Sequence, residues 1–236
     1  MKTLSLKTAG PFLLLTFIYF IVGFLTTVNG QCQGPLKVAF LSDATTMRNS
    51  LTTLVSFAFF LGYLLNSSRT GRMLNQIGYK RTLMRSLIVM VGGLLFYTAS
   101  AFCAEYVPCE GVAIHGDFVP FGYFVFLVGS FLMGTAAAML QVVINPYIAA
   151  YPLPGTSAVQ RMNFTCAVNS FGTTIAPLSA TVLLARRGSA LHLCAQHYAA
   201  VLGVGVVHLL EHQFGGAAAH LAERRLNGGE LRVDDG

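Results

Sequence analysis

The feature that most constrains this chain is a series of long apolar runs, none of which contains a carboxylate. A helix that crosses a bilayer needs about 20 mostly apolar residues at a rise of about 1.5 Å each. Because a bilayer offers no water to bond the backbone, such runs predict helices rather than open strands. The sequence therefore predicts an all-α integral membrane bundle with five spans: Pro11 to Asn29, Leu51 to Asn66, Thr82 to Cys103, Phe118 to Val143 and Asn163 to Leu184.

Composition agrees with lipid as the surrounding medium. Hydrophobic residues make up 54% of the 236 residues and charged residues only 10%, whereas soluble domains carry about 25% charged residues. The net charge of +6 could suggest nucleic acid, but the basic residues lie at the ends of the apolar runs, where membrane anchoring explains them. We expect the lipid bilayer as a partner and no nucleic acid.

The first apolar run has one alternative interpretation, a cleaved signal peptide after Lys2 and Lys7. Its apolar stretch is longer than the usual 7–15 residues, and residues 28–31 offer no small-residue cleavage site. We favour a retained helix.

Loop charges predict the orientation. The connection after the second span carries five basic residues and no acid, namely Arg69, Arg72, Lys80, Arg81 and Arg85. The next connection carries three acids and no Lys or Arg: Glu105, Glu110 and Asp117. Since cytoplasmic loops are enriched in Lys and Arg, we expect a multi-pass protein of the inner (plasma) membrane with a cytoplasmic N-terminus.

The chain divides into two parts, an N-terminal transmembrane bundle over 1–184 and an atypical tail over 185–236. The tail is rich in Ala, Gly, His and Arg, and its longest apolar run, Tyr198 to Leu210, is too short for a clear span. It is either a doubtful sixth helix with a polar end or a segment that is not the native continuation, which we favour. His208 and His212 share one helix face but lack further ligands at useful spacing, and the cysteines form no CxxC, so we expect no metal and no cofactor.

No catalytic motif or paired carboxylate is present, so we expect no enzyme activity. Polar residues within spans are costly and are therefore candidates for function. In the fourth span, small residues and amides recur at intervals of three and four, which places them on one helix face: Gly134, Ala137, Ala138, Gln141 and Asn145. Pro146 directly follows and is expected to disrupt the helix. This face predicts either helix packing or a water-lined cavity.

The fifth span repeats the pattern with Cys166, Asn169, Thr173 and Pro177. An unpaired amide in lipid is costly, so Asn169 must face protein or water. Amides both donate and accept, which suits sugar hydroxyls, and aromatic rings such as Phe24, Tyr63 or Tyr147 suit the C–H faces of a sugar.

Three stretches together resemble the major facilitator superfamily, in its fucose permease and glucose/galactose transporter branch. The basic stretch from Gly71 to Arg81 is similar to the superfamily's cytoplasmic gating loop, through Gly71, Asn75, Gly78, Lys80 and Arg81. Asn75 and Gln76 stand where Asp and Arg are usual, so the gating salt bridge of that Asp does not carry over.

The other stretches are more specific to the branch. Gln141 to Tyr147 is similar to its fourth-helix motif, Arg161 to Pro177 to its fifth-helix motif, and Val28 to Lys37 to the end of its first helix. The resemblance covers about 12–184, the first five of twelve expected helices, and implies the N-terminal half of a bundle. It implies a sugar transporter that works by alternating access and is truncated here. The candidate substrate-binding residues are Asn29, Gln141, Asn145, Asn169 and Thr173.

The branch pattern places acids that carry the proton at the positions of Gly30 and Gln141, and a Gln at Cys166. Both proton positions are neutral here, so we expect no proton site in these helices. If transport is coupled to an ion, it must use Na⁺ near Asn29, Gln141 and Asn145, or acids in an absent C-terminal half. Otherwise the protein is a uniporter. The alternative function is a non-transporting membrane remnant or a partner subunit that requires a separate C-terminal half.

Overall fold

The computed structural model describes residues 6–31, 33–41, 46–106, 111–114 and 117–186. Within these ranges the chain forms five helices and one antiparallel hairpin: α1 (Leu6–Gln31), α2 (Gln33–Phe40), α3 (Arg48–Tyr106), β1 (Gly111–Ile114), β2 (Asp117–Pro120), α4 (Phe121–Ala150) and α5 (Ala158–Arg186). The predicted tail beyond residue 186 lies outside the described residues.

Three described segments are long and apolar enough to cross a membrane: Ala9–Gln31, Arg48–Cys103 and Phe121–Ala150. The second has 56 residues, which is about 84 Å of helix, whereas the hydrocarbon core of a bilayer is about 30 Å thick. The fifth predicted span is helical in α5, but α5 is not among these three segments in the described part of the chain.

The helix α3 is too long for one span because it consists of two helices that meet at a break at Gly78, which has φ 79° and ψ 172°. Glycine takes a positive φ without the strain that a Cβ brings. On one side of the break Asn66 Nδ2 donates to Thr135 Oγ1 at 3.0 Å, and on the other Tyr97 Oη lies 3.1 Å from Ser130 Oγ. Both halves therefore pack beside the same stretch of α4, and the chain reverses at Gly78. We call them α3a (48–77) and α3b (79–106).

Two sequence predictions differ from this architecture. The basic connection predicted after Asn66 is helical up to the break at Gly78, so α3a is longer than the predicted second span. The predicted disruption at Pro146 is wrong, because α4 continues through Pro146 to Ala150. The short helix α2 and the β-hairpin were not predicted by hydropathy, since neither is an apolar run of spanning length.

The hairpin caps the start of α3. The buried carboxylate of Asp117 in β2 accepts hydrogen bonds through Oδ2 from the backbone N–H groups of Thr46 and Met47, at 3.1 and 2.9 Å. These N–H groups precede the first turn of α3, where backbone donors lack helical partners and negative charge is stabilising. Asp117, one of the acids in the predicted connection between the third and fourth spans, thus caps the start of α3.

The bundle core depends on close backbone contacts at glycines. In α4, Gly134 lies against the backbone carbonyl of Phe59 in α3a, and a Cβ at Gly134 would lie 2.8 Å from the Phe59 carbonyl carbon. Ala137 and Ala138 are buried on the same helix. The small residues of the face predicted for the fourth span therefore pack against neighbouring helices. In the second close contact, Gly172 of α5 lies against the Phe20 carbonyl of α1.

We expect Gly134→Ala to destabilise the chain, because the new methyl group has no room against the Phe59 backbone. Overpacking of this kind costs about 1–3 kcal/mol. The matched control is Gly92→Ala in α3b, where a Cβ meets no atom within 4 Å, so the better helix propensity of Ala should make it neutral or slightly stabilising. Helical circular dichroism during unfolding in detergent measures both, and equal midpoints for the two variants would contradict this packing.

Candidate functional site

A cavity of about 260 Å³ lies between α1, α3a, α4 and α5. Three of the predicted amide residues line it, one from each of α1, α4 and α5: Asn29, Gln141 and Asn169. The remaining walls are backbone at glycines, small hydroxyl side chains and aromatic rings, including Thr26, Thr27, Ser56, Phe59, Phe60 and Tyr63. The helices therefore bring together side chains that are far apart in the sequence.

The other two predicted binding residues are not among the lining residues. Thr173 Oγ1 donates to the carbonyl of Ser170 at 2.8 Å, so its hydroxyl proton is used within α5. Asn145 lies one turn beyond Gln141 on α4, and its Oδ1 is buried without a hydrogen-bond partner in the described part of the chain. Of the aromatic residues proposed for the site, Tyr63 lines the cavity and Phe24 and Tyr147 do not.

Asn29 has a fixed side-chain orientation. Its Oδ1 accepts a hydrogen bond from Tyr97 Oη at 2.6 Å and lies 3.3 Å from Ser130 Oγ. The residue is 5% exposed, so these two hydroxyls replace the water that the amide oxygen would otherwise need. Tyr97 and Ser130 were not among the sequence candidates, since a Tyr and a Ser within apolar spans have no distinguishing spacing.

Asn169 is held through its nitrogen. Nδ2 donates to the backbone carbonyl of Tyr19 at 2.6 Å, which joins α5 to α1. Gly23 makes room for this side chain, because a Cβ there would lie 2.6 Å from Asn169 Nδ2. The prediction was that this mid-helix amide faces protein or water, and its nitrogen faces protein.

Gln141, in contrast to Asn29 and Asn169, is not held by a hydrogen bond within the described part of the chain. Its amide makes no hydrogen bond to any described residue, and it can both donate and accept. The hydroxyls of Thr26 and Thr27 donate to the Gly23 carbonyl at 2.9 and 3.0 Å. Their oxygens therefore remain as acceptors.

The cavity has no charged wall among the residues that line it in the described structure. Gly30 and Gln141, the two positions that carry acids in the fucose permease pattern, both line it. A Cβ at Gly30 would meet no atom within 4 Å, so the space beside it is open. The chemistry of this cavity is hydrogen bonding by neutral groups.

The predicted gating residues surround the chain reversal instead of the cavity. Gly78 forms the break itself, and Thr82 Oγ1 donates to its carbonyl at 2.9 Å. Asn75, Lys80 and Arg81 are exposed around it, and a Cβ at Gly71 would meet no atom within 4 Å. Tyr79 packs against Tyr147 with ring centroids 5.5 Å apart, so the reversal touches the C-terminal end of α4.

The corner between α4 and α5 is held by Arg161, which is 8% exposed. Its guanidinium donates to the carbonyls of Ile148, Ala149 and Thr156 at 3.0, 2.7 and 2.7 Å. The first two carbonyls belong to the last turn of α4, where the helix dipole is negative and favours a cation. This residue fixes α5 against α4 and thereby sets where Asn169 lies relative to Gln141.

The chain is 30% identical over 170 residues to a glucose/galactose transporter of Brucella abortus, covering 72% of this chain and 36% of that protein. It is 27% identical over 171 residues to a putative glucose/galactose transporter of Helicobacter pylori, covering 72% and 36%. It is 25% identical over 167 residues to the L-fucose-proton symporter of Escherichia coli, covering 70% and 33%. The predicted family resemblance is confirmed.

The chain thus spans about a third of the length of the curated relatives that it matches, 36% for the first. No protein-family model and no solved structure matches it. The relatives are transporters, not enzymes. With three apolar helices long enough to cross a bilayer, the chain is a helical membrane protein.

Proposed function

We propose that the chain is the N-terminal half of a sugar transporter that works by alternating access, and that the cavity forms one wall of its substrate site. The observation that carries this proposal is the convergence of Asn29, Gln141 and Asn169 on one uncharged cavity. Amides donate and accept hydrogen bonds, as sugar hydroxyls do, while Phe59, Phe60 and Tyr63 offer faces for the C–H groups of a sugar. An uncharged wall favours a neutral ligand, since a charged one would have no counter-charge.

The proposal of a half-site rests on two observations. The relatives are nearly three times as long as the matched region, and the cavity wall includes exposed residues, notably Phe60 at 66% exposure. In transporters built from repeats, the substrate lies at the interface between the repeats. We propose that a C-terminal half covers this face. In the alternative function, the chain is a non-transporting remnant or a partner subunit that requires a separate C-terminal half.

The first test is sugar binding by the chain in lipid nanodiscs. We expect Gln141→Leu and Asn169→Leu to weaken the binding of D-glucose or D-galactose roughly tenfold, because each removes a hydrogen-bonding group from the cavity. Gln76→Leu is the matched control, since Gln76 is exposed and lies outside the cavity. Titration followed by nuclear magnetic resonance measures the dissociation constants.

Equal affinities in all four proteins would contradict the site, and no saturable binding to any of them would contradict the function. The same chain in liposomes should give no sugar uptake above empty vesicles, because one wall of the cavity cannot alternate its access. Uptake by the chain alone would contradict the half-site proposal.

The second test concerns coupling. With no acid in the cavity wall, we expect sugar binding by the wild-type chain to be unchanged between about pH 5 and pH 8 at fixed Na⁺, the range in which a cavity acid or His would titrate. Gln141→Glu should create a pH dependence, with tighter binding at low pH. A protonated carboxyl both donates and accepts, whereas the ionised form only accepts and places an uncompensated charge in the cavity. A wild-type affinity that follows pH as the variant does would show that the argument from missing acids is wrong.

The third test concerns orientation in the inner (plasma) membrane. We propose a cytoplasmic N-terminus and a cytoplasmic chain reversal at Gly78, because five basic residues surround the reversal and acids accompany the β-hairpin. In a background without native cysteines, Arg72→Cys should be labelled by an impermeant maleimide only in opened cells, and Ala113→Cys in intact cells. Both sites are exposed. The opposite labelling pattern would reverse the orientation.

A further inference from the structure

The amide of Asn29 is held in one orientation by hydroxyls from two other helices. Tyr97 Oη, from α3b, donates to Asn29 Oδ1 at 2.6 Å. Ser130 Oγ, from α4, lies 3.3 Å from the same oxygen and 3.1 Å from Tyr97 Oη. Each hydroxyl has one proton, so Tyr97 donates to Asn29 and Ser130 donates to Asn29 or to Tyr97, and the amide oxygen is committed to this cluster. The polar group that Asn29 retains for the cavity is its NH₂ group, which only donates.

Asn169 is held through its nitrogen instead of its oxygen. Its Nδ2 donates to the Tyr19 carbonyl at 2.6 Å, and its Oδ1 makes no hydrogen bond to a described residue. That oxygen is not among the buried atoms that lack a partner, and Asn169 is one of the residues that line the cavity. Thr26 and Thr27 likewise offer acceptors, since both hydroxyl protons go to the Gly23 carbonyl.

We propose that Tyr97 is a positioning residue that makes Asn29 a fixed donor, so that the cavity selects its ligand by the direction of its hydrogen bonds. A ligand hydroxyl next to Asn29 must accept, whereas Asn169 also offers an acceptor, its Oδ1, to a hydroxyl that donates. Gln141 can do either. This selectivity rests on the proposed function, because it gives the polarity of each contact in the same sugar site.

The ring of Tyr97 is itself held in place. It stacks on Phe126 with centroids 4.6 Å apart and an interplanar angle of 22°. Gly129 also lies against it, since a Cβ there would approach Tyr97 Cδ1 to 2.7 Å. Packing therefore holds the Tyr97 hydroxyl, which in turn orients the Asn29 amide. Neither Phe126 nor Gly129 lines the cavity.

The positioning is tested on the full chain in detergent with ¹⁵N-labelled asparagine. A hydrogen bond to an amide oxygen strengthens the C–N double-bond character and slows rotation of the NH₂ group. In Tyr97→Phe we expect the two Asn29 Nδ2 protons, assigned by their loss in Asn29→Leu, to exchange places at least severalfold faster. Tyr123→Phe is the matched control, because Tyr123 Oη is a buried donor at 2.7 Å to the Leu51 carbonyl, away from the cavity. Equal rotation rates in wild type and Tyr97→Phe would overturn the positioning role.

The selectivity is tested with monodeoxy and deoxyfluoro analogues of D-glucose at each hydroxyl position. Fluorine accepts weakly but cannot donate. In wild type we expect one position at which the fluoro analogue binds at least about threefold more tightly than the deoxy analogue, the scale of one retained hydrogen bond. In Tyr97→Phe that ratio should fall to about one, while Tyr123→Phe keeps it.

A wild-type series without any such position, or a ratio unchanged in Tyr97→Phe, would overturn the selectivity. Absence of sugar binding altogether would overturn the proposed function and this selectivity with it. The rotation measurement needs no sugar, so it decides separately whether Tyr97 holds Asn29.

Discussion

A polar group inside a bilayer has no water to bond, so burying one without a protein partner or a cavity beside it is costly. This constraint accounts for the ties between helices. Thr16 and Thr165 share a hydroxyl contact at 3.3 Å between α1 and α5, and Asn66 reaches Thr135 between α3a and α4. Asp117 and Arg161 are the charged versions of the same arrangement, since each uses its charge on unpaired backbone groups at a helix end.

The same constraint separates structural polar groups from groups that are available to a ligand. Thr173, which sequence periodicity placed with the candidates, bonds its own helix and has no donor left for a cavity. Gln141 bonds no described residue and lines open space. The two positions share a spacing pattern but differ in what surrounds them. Whether a polar side chain has a hydrogen-bond partner in the folded structure decides between packing and binding. The sequence alone does not show which residues become partners.

Sequence reasoning located much of the bundle because two of its determinants are local. Apolar length places α1, α3b and α4, and intervals of three and four place Gly134 and Gln141 on one helix face. The reversal at Gly78 was found as part of a basic motif, but the helical course of the residues before it was not, because polar residues can continue a helix outside the lipid core. Tyr97 was missed because its role comes from a contact with Asn29, 68 positions away in the sequence.

The helices form two closely packed pairs, and the cavity lies where the pairs separate. Glycine contacts join α1 to α5 at Gly23 and Gly172, and α3a to α4 at Gly62 and Gly134. Polar contacts among the described residues tie the pairs to each other toward both ends of the bundle. One tie is Arg161, at the end of the bundle where Phe12 packs on Tyr151. Another is Asn29, near the opposite end of α1. Between these ties α1 and α4 also pack through apolar side chains, while Gln141, at the cavity, bonds no described residue. A ligand rich in hydroxyl groups can satisfy such an amide, whereas an apolar side chain placed in the same cavity would leave its polar atoms unbonded at a cost of about 1–3 kcal/mol each.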